Sequence, residues 1–196
     1  MIVTPLTLEL DGGVVRLEPL RARHAPDLMA AGRDDAVWTY LMERPKTLED
    51  MLGLIDRAQQ AERSGRELPF AVIEAASGRA IGSTRYEDIL PAHRTLEIGW
   101  TWLGTAWQKT ACNTQCKLML LRHAFEVLGA VRVQLKADTR NHRSLAAIER
   151  IGAVYEGTLR KNRILPDGYI RDSAYFSVIR EEWPAVKRRL EEMARH

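Results

Sequence analysis

Between residues 13 and 20 (GVVRLEPL) apolar and polar positions alternate, Val15 and Leu17 against Arg16 and Glu18. A period of two is the mark of a half-buried strand. Residues 21–32 (RARHAPDLMAAG) predict a short helix that stops at Gly32. Over residues 46–65 the period lengthens, with Leu48, Met51, Leu52, Ile55 and Ala58 forming a helical stripe. Thr47 caps that helix, Asp50 completes a variant capping box three residues on, and Gly65 ends it. Residues 68–75, 80–87 and 94–103 then read as three strands joined by tight turns, an antiparallel meander. In the third, Leu96, Ile98, Trp100 and Trp102 fall on one face and Glu97, Gly99 and Thr101 on the other.

From here strands and helices alternate. A helix over 113–128 carries Cys116, Leu120, Ala124 and Leu128 in one line, with Leu121 and Phe125 beside it and Gly129 as its stop. A strand over 131–138 follows, then a helix over 141–152 capped by Asn141, two strands over 154–161 and 171–180, and an amphipathic helix to the C-terminus. The LPDG stretch, 165–168, marks a turn between those last strands. The strand ending at Leu103, the next helix and the strand from Val131 form a β–α–β crossover, so the two strands should be parallel neighbours. A sheet that changes from antiparallel to parallel in its middle can splay there and expose backbone groups along a crevice.

Composition narrows the classes. The chain has 196 residues, 45% apolar and 28% charged, which fits one packed domain over 1–196. No apolar run is long enough for a transmembrane helix, and the N-terminus lacks the pattern of a secretory signal. A cytoplasmic protein is the default expectation. The net charge is +3, but acidic residues are interspersed throughout, without the basic stripe expected of a nucleic-acid binder. A small anionic ligand suits this mild excess. His24, His93, His123 and His142 lack metal-ligand spacing, and Cys112 and Cys116 have no third ligand nearby, so no metal is expected. In a helix those two Cβ atoms would lie roughly 5–6 Å apart, too far for a disulfide at about 3.5–4.5 Å. They read as small apolar side chains, with a reactive thiol as the alternative.

The stretch TAWQKTACNTQC, from Thr105, sets a polar loop directly before an apolar helix. The first turn of a helix has N–H groups without intrahelical partners and a partial positive charge, so it can hold a phosphate. Gln108, Lys109, Thr110, Asn113 and Thr114 can add side-chain donors. A plain connecting loop is the competing reading.

The segments EIGWTWL, WQKTACNTQCKLMLLRHAFEVLGAVRVQLKADTRNHRSLAAIERIGAVYEGTLRKNRILPDGYIRDSAYFS and EEWP, in that order, resemble the GNAT superfamily of acetyl-CoA-dependent N-acetyltransferases. The likeness runs from about Val15 to Trp183 and is strongest to the branch that acetylates ribosomal-protein N-termini. It implies an α+β fold with a mixed sheet of about six to seven strands, antiparallel in its first half and splayed at a central parallel pair. It also implies acetyl-CoA as co-substrate and a primary amine, a protein N-terminus or a small molecule, as acceptor. The family's pyrophosphate loop reads Gln or Arg, two residues, Gly, one residue, then Gly or Ala. Here the register is Gln108, Lys109, Thr110, Ala111, Cys112, Asn113, so both small positions depart from the pattern. Ala111 brings a Cβ to a position where positive φ or close backbone approach would call for Gly. That departure favours an alternative, an acyl-CoA sensor or partner-binding module without catalysis.

Transfer needs a base for the amine, a donor for the oxyanion and a proton for the thiolate. The resemblance points to Glu97 as base, with a strand-pairing carboxylate as the plain reading. Glu156 is a second candidate, with pairing to Arg160 as its plain role. Asn141 caps its helix, and the resemblance implies that it also reaches the cofactor and that Ser144 protonates the leaving sulfur, with a plain cap and a solvent-exposed or backbone-bonded hydroxyl as the competing readings. The backbone of Trp102 and Leu103 should pair with the pantetheine amides as an added strand would. Arg160, Lys161, Arg163 and Arg171, around the late hairpin, read as a solvated rim, or as partners for the adenosine phosphate or an acidic acceptor. That hairpin can also support a homodimer.

Overall fold

A computed structural model describes residues 3–195. Met1, Ile2 and His196, the ends of the signal-peptide reading and of the last predicted helix, lie outside the described residues. Seven strands form one sheet in the order β1-β2-β3-β4-β5-β7-β6. They are β1 (Val15–Pro19), β2 (Leu68–Glu74), β3 (Ala80–Leu90), β4 (Thr95–Leu103), β5 (Arg132–Asp138), β6 (Val154–Ile164) and β7 (Ile170–Ile179). The helices are α1 (Ala25–Ala31), α2 (Leu48–Arg63), α3 (Ala111–Arg122), α4 (His142–Arg150) and α5 (Trp183–Met193). All neighbours are antiparallel except β4 and β5, which are parallel as the crossover requires.

The sheet has two apolar faces. On one, α1 and α2 pack through Leu28, Met51 and Ile55 against Ala71, Ile73 and Trp102. On the other, α3 and α5 pack through Leu120, Leu121 and Leu190 against Phe70, Val133 and Phe176. The capping box of α2 is present: Thr47 Oγ1 accepts from Asp50 N, and Asp50 accepts from Thr47 N at 3.0 Å. Its stripe is rotated from the predicted one. Leu48 and Leu52 are exposed, while Leu54 and Ala61 are buried beside Met51, Ile55 and Ala58.

α3 is buried almost all round because it lies between the sheet, α5 and the N-terminal segment. Gln115 joins these layers, its Oε1 accepting from Val14 N at 2.8 Å and its Nε2 donating to Ala194 O at 3.5 Å. Residues 123–127 continue the helix as a π-turn. Just before it, Tyr86 OH donates to the Leu120 carbonyl at 2.6 Å, competing for an acceptor of the helical ladder.

Candidate active site

The central parallel pair is short. β4 and β5 pair only from Thr95/Arg132 to Glu97/Gln134, although β4 runs on to Leu103 and β5 to Asp138. Beyond Glu97 the strands diverge. The cause lies partly in a bulge: the β3–β4 register jumps from Arg85/Gly99 to Ser83/Trp102, and Trp100 sits at φ 49°. Positive φ is costly for a bulky residue. Arg85 stacks over the Trp100 ring at 4.5 Å to the centroid. This corrects the predicted alternation, because the extra residue turns Trp102 to the α1–α2 face, away from Leu96 and Ile98.

A cavity of about 730 Å³ occupies the splay. At one end lies the front of α3. The helix starts at Ala111, two residues before the expected Asn113, and Thr110 is the cap, its Oγ1 accepting from Cys112 N at 3.3 Å. The N–H groups of Ala111 and Asn113 therefore belong to the first turn, which has no intrahelical acceptors. Positive φ falls on Lys109 (61°), not on Ala111, so the extra methyl occupies an ordinary helical position. Gln108, Lys109, Thr110 and Asn113 line the cavity, as do Trp102 and Leu103; Ala111, Cys112 and Thr114 do not. Gln108 is held by Leu103 O, to which its Nε2 donates at 2.9 Å, and its Oε1 accepts from Arg143. Cys112 and Cys116 are buried free thiols, and burial pushes Cys116 up to about 12, which disposes of a reactive thiolate there.

At the other end of the cavity stand two carboxyls. Glu97 is 0% exposed; its Oε2 accepts from Gln134 Nε2 at 2.6 Å and Lys136 Nζ at 3.0 Å. Glu87 faces it across the β3–β4 pair. Burial first, and then the charge of Glu97, pushes Glu87 up to about 8, so it is protonated at neutral pH. Lys136 lies 2.8 Å from Glu97 Oε1; burial opposes its charge, but the neighbouring carboxyls, Glu97 foremost, outweigh burial and raise its pKa. Glu97 Oε1 otherwise lacks a hydrogen-bond partner, and a protonated Glu87 is the neighbour able to donate to it. Gly99 makes the arrangement possible: a Cβ there would sit 1.7 Å from Glu87 Oε1.

Residues 15–154 match the family described as Acetyltransferase (GNAT) domain. The chain belongs to the GNAT acetyltransferase family. It is 27% identical over 175 residues, 87% of this chain and 92% of the relative, to the Bacillus subtilis (strain 168) protein named "Putative ribosomal N-acetyltransferase YdaF". A "putative acetyltransferase from T. thermophilus" matches with TM-score 0.87 and 40% identity over 98% of each chain. Mycobacterium smegmatis RimJ, solved in complex with CoA-disulfide, shares the fold with TM-score 0.81 at 24% identity, over 97% of this chain and 96% of that one. Among the described residues no helix is long and apolar enough to cross a membrane.

The remaining expected residues of this GNAT domain divide in two. Asn141 caps α4, its Oδ1 accepting from Ser144 N at 3.1 Å, and both residues line the cavity. Glu156 does not line it. It pairs with Arg132, not with Arg160, accepts from Ser177 Oγ at 2.8 Å, and the Arg132 contact holds its pKa down. A carboxylate so engaged is a poor base. Sequence reasoning missed Glu87, Lys136 and Lys117.

Lys117, on α3, is buried in the cavity wall with its Nζ donating to Thr101 Oγ1 at 2.7 Å. Burial lowers it from 10.5 to about 8. Below pH 8 it is charged both folded and unfolded, and the fold bears the burial cost. Between about 8 and 10.5 the unfolded chain binds the extra proton, so stability rises with pH across that window. Lys117→Met is expected to stabilise the protein by on the order of 1–3 kcal/mol at pH 7. Thermal melts at several pH values check this; the gain should shrink towards pH 10.

Proposed function

We propose that this chain transfers the acetyl group of acetyl-CoA to a primary amine by direct attack in a ternary complex. The observation that carries the reading is one continuous cavity running from the front of α3 to the Glu87–Glu97 pair. The residues suit the ligand. The first turn of α3 at Asn113, with Thr110, Lys109 and Arg143 nearby, offers donors and positive charge for a diphosphate. The edge of β4 beyond Glu97 has no β5 partner, and the backbone of Trp102 and Leu103 can pair with the amides of a pantetheine arm.

Acetyl-CoA supplies the activated carbonyl; the residues supply position and proton transfer. Glu97 takes the proton of the incoming ammonium, directly or through one water. Glu87, holding its own proton at neutral pH, donates to Glu97 and keeps the two negative charges from coinciding. Lys136 and Gln134 fix the Glu97 carboxylate in place. Ser144, on the α4 wall, provides a hydroxyl for the departing sulfur. No covalent enzyme intermediate is involved, consistent with the burial of both cysteines. The alternative, a non-catalytic acyl-CoA module, draws its support from Ala111 and Asn113; ordinary helical geometry at Ala111 weakens the first half of that argument, while Asn113 still departs from the family pattern.

Thermal denaturation tests the reading. Acetyl-CoA at about 100 times its dissociation constant should stabilise the fold by roughly 2.7 kcal/mol, and ATP at equal concentration should do far less. Release of CoA in the presence of an amine panel completes the test. No shift with millimolar acetyl-CoA would contradict the proposal; binding without CoA release would favour the non-catalytic module.

A further inference from the structure

The arginines of the late hairpin do not form one solvated rim. Arg160 is exposed, but Arg171, near the start of β7, is 8% exposed. Strand alternation puts Arg171 on the same side as Tyr175 and Ser177, whose β5 partners Lys136 and Gln134 hold Glu97. Arg163 lies directly opposite it on β6, and both line the cavity.

Among the described residues the Arg171 guanidinium has no partner to match. Its Nε is buried without a hydrogen-bond acceptor. The nearby Asp138 carboxylate is occupied by Arg140, whose Nε and Nη2 donate to it at 3.0 and 2.7 Å. Burial lowers the pKa of Arg171, with the fields of Asp138, Tyr175 and Glu97 opposing only in part. A buried cation of this kind is costly unless an anion meets it. Arg171 also lies in the field of Glu97 and lines the same cavity as the carboxyl pair.

We propose that Arg171, with Arg163 beside it, receives a carboxylate of the acceptor, so that the acetylated amine carries a carboxylate group. The inference rests on the transferase reading above and deepens it. A planar guanidinium can grip a carboxylate through two parallel hydrogen bonds. With the carboxylate on Arg171 and the ammonium turned towards Glu97, one molecule satisfies both charges and its nitrogen is oriented for attack. The carboxylate has two possible sources, the α-carboxylate of a free amino acid or the side chain of an acidic residue next to a peptide N-terminus.

Matched acceptors separate these. One arm compares free amino acids with their α-amides; the other compares peptides with Asp or Asn following the N-terminal residue. In the arm that holds the true source, the wild-type enzyme should favour the carboxylate member in kcat/KM by about 100-fold. Arg171→Gln should bring that ratio to near one, the carboxylate member losing far more than its amide or Asn counterpart, with the KM for acetyl-CoA unchanged. Arg171→Lys, which keeps charge but not the fork, should retain part of the preference. Equal use of both members by the wild type, an equal loss for both in Arg171→Gln, or a changed acetyl-CoA KM would overturn the assignment. A second readout is independent of turnover: glutarate, which has no amine, should raise the melting temperature of the wild type and not of Arg171→Gln. If acetyl-CoA gives no stabilisation but glutarate does, the transferase reading fails and the anion site stands. If glutarate stabilises both proteins equally or neither, the anion site fails.

Discussion

Glu97→Gln is expected to lower kcat about 100-fold or more while leaving stabilisation by acetyl-CoA intact. The amide keeps the volume and still accepts from Gln134, but it cannot take a proton. The carboxylate it replaces is fully buried, so no solvent-exposed group stands in for it. Glu87→Gln is the informative companion. It fixes a neutral donor against Glu97, imitating the protonated side chain. The wild-type pH profile should show an ionisation near 8 that Glu87→Gln lacks. Stability should respond in the matching direction. A carboxyl raised from 4.5 to about 8 keeps its proton in the folded state after the unfolded chain has lost it. The wild type therefore loses stability relative to Glu87→Gln as pH rises from 4.5 to 8, and the gap is constant above that window. Urea midpoints at pH values of about 4.5, 6.5 and 8.5 would check the sign.

Gly82→Ala should be the most damaging small substitution, costing about 3 kcal/mol or more. A Cβ at Gly82 would lie 2.1 Å from the Trp102 carbonyl oxygen and 2.9 Å from the Leu103 Cα. Both are backbone atoms of the paired strand, and no rotamer change relieves the clash. The β3–β4 pair would have to separate where the splayed edge presents its backbone to the cavity, so binding of acetyl-CoA should fall with stability. Gly53→Ala is the control. Gly53 lies in α2, and a Cβ there meets only Arg57 Nη1 at 3.4 Å. Helix propensity alone should make that variant more stable by about 1 kcal/mol. Denaturant unfolding of the two variants, side by side, distinguishes a backbone clash from a general intolerance of alanine.

Local rules carried much of the fold. Thr47 with Asp50, Asn141, and the stops at Gly129 and Gly152 act through groups a few residues apart, and the structure places each as expected. The parallel pair followed from the strand–helix–strand order of the crossover, and a splay was expected where the sheet changes from antiparallel to parallel pairing. What was illegible depended on distant partners. Leu48 and Leu52 match helical spacing as well as Leu54 and Ala61, and only packing against the sheet chooses between them. Thr110 and Asn113 are both good caps, and the chain uses the first. The bulge at Trp100 puts the positive φ on the tryptophan and not on Gly99 beside it, so the glycine in the strand did not reveal where the alternation breaks. Glu87 was hidden because the β3–β4 turn contains no glycine, while Asp88 and Arg94 take positive φ. Its register against Glu97 could not be counted along the sequence. Arg171 opens an alternating strand and looks like an edge residue; the neighbouring strand and the cavity wall bury it.

A crystal structure with acetyl-CoA bears most directly on the account. The expected result is a diphosphate at the front of α3, within hydrogen-bonding distance of Thr110 and Asn113, the pantetheine arm along Trp102 and Leu103, and the acetyl group directed towards Glu97. A diphosphate bound away from the front of α3, or a thioester lying outside the space between β4 and β5, would contradict it.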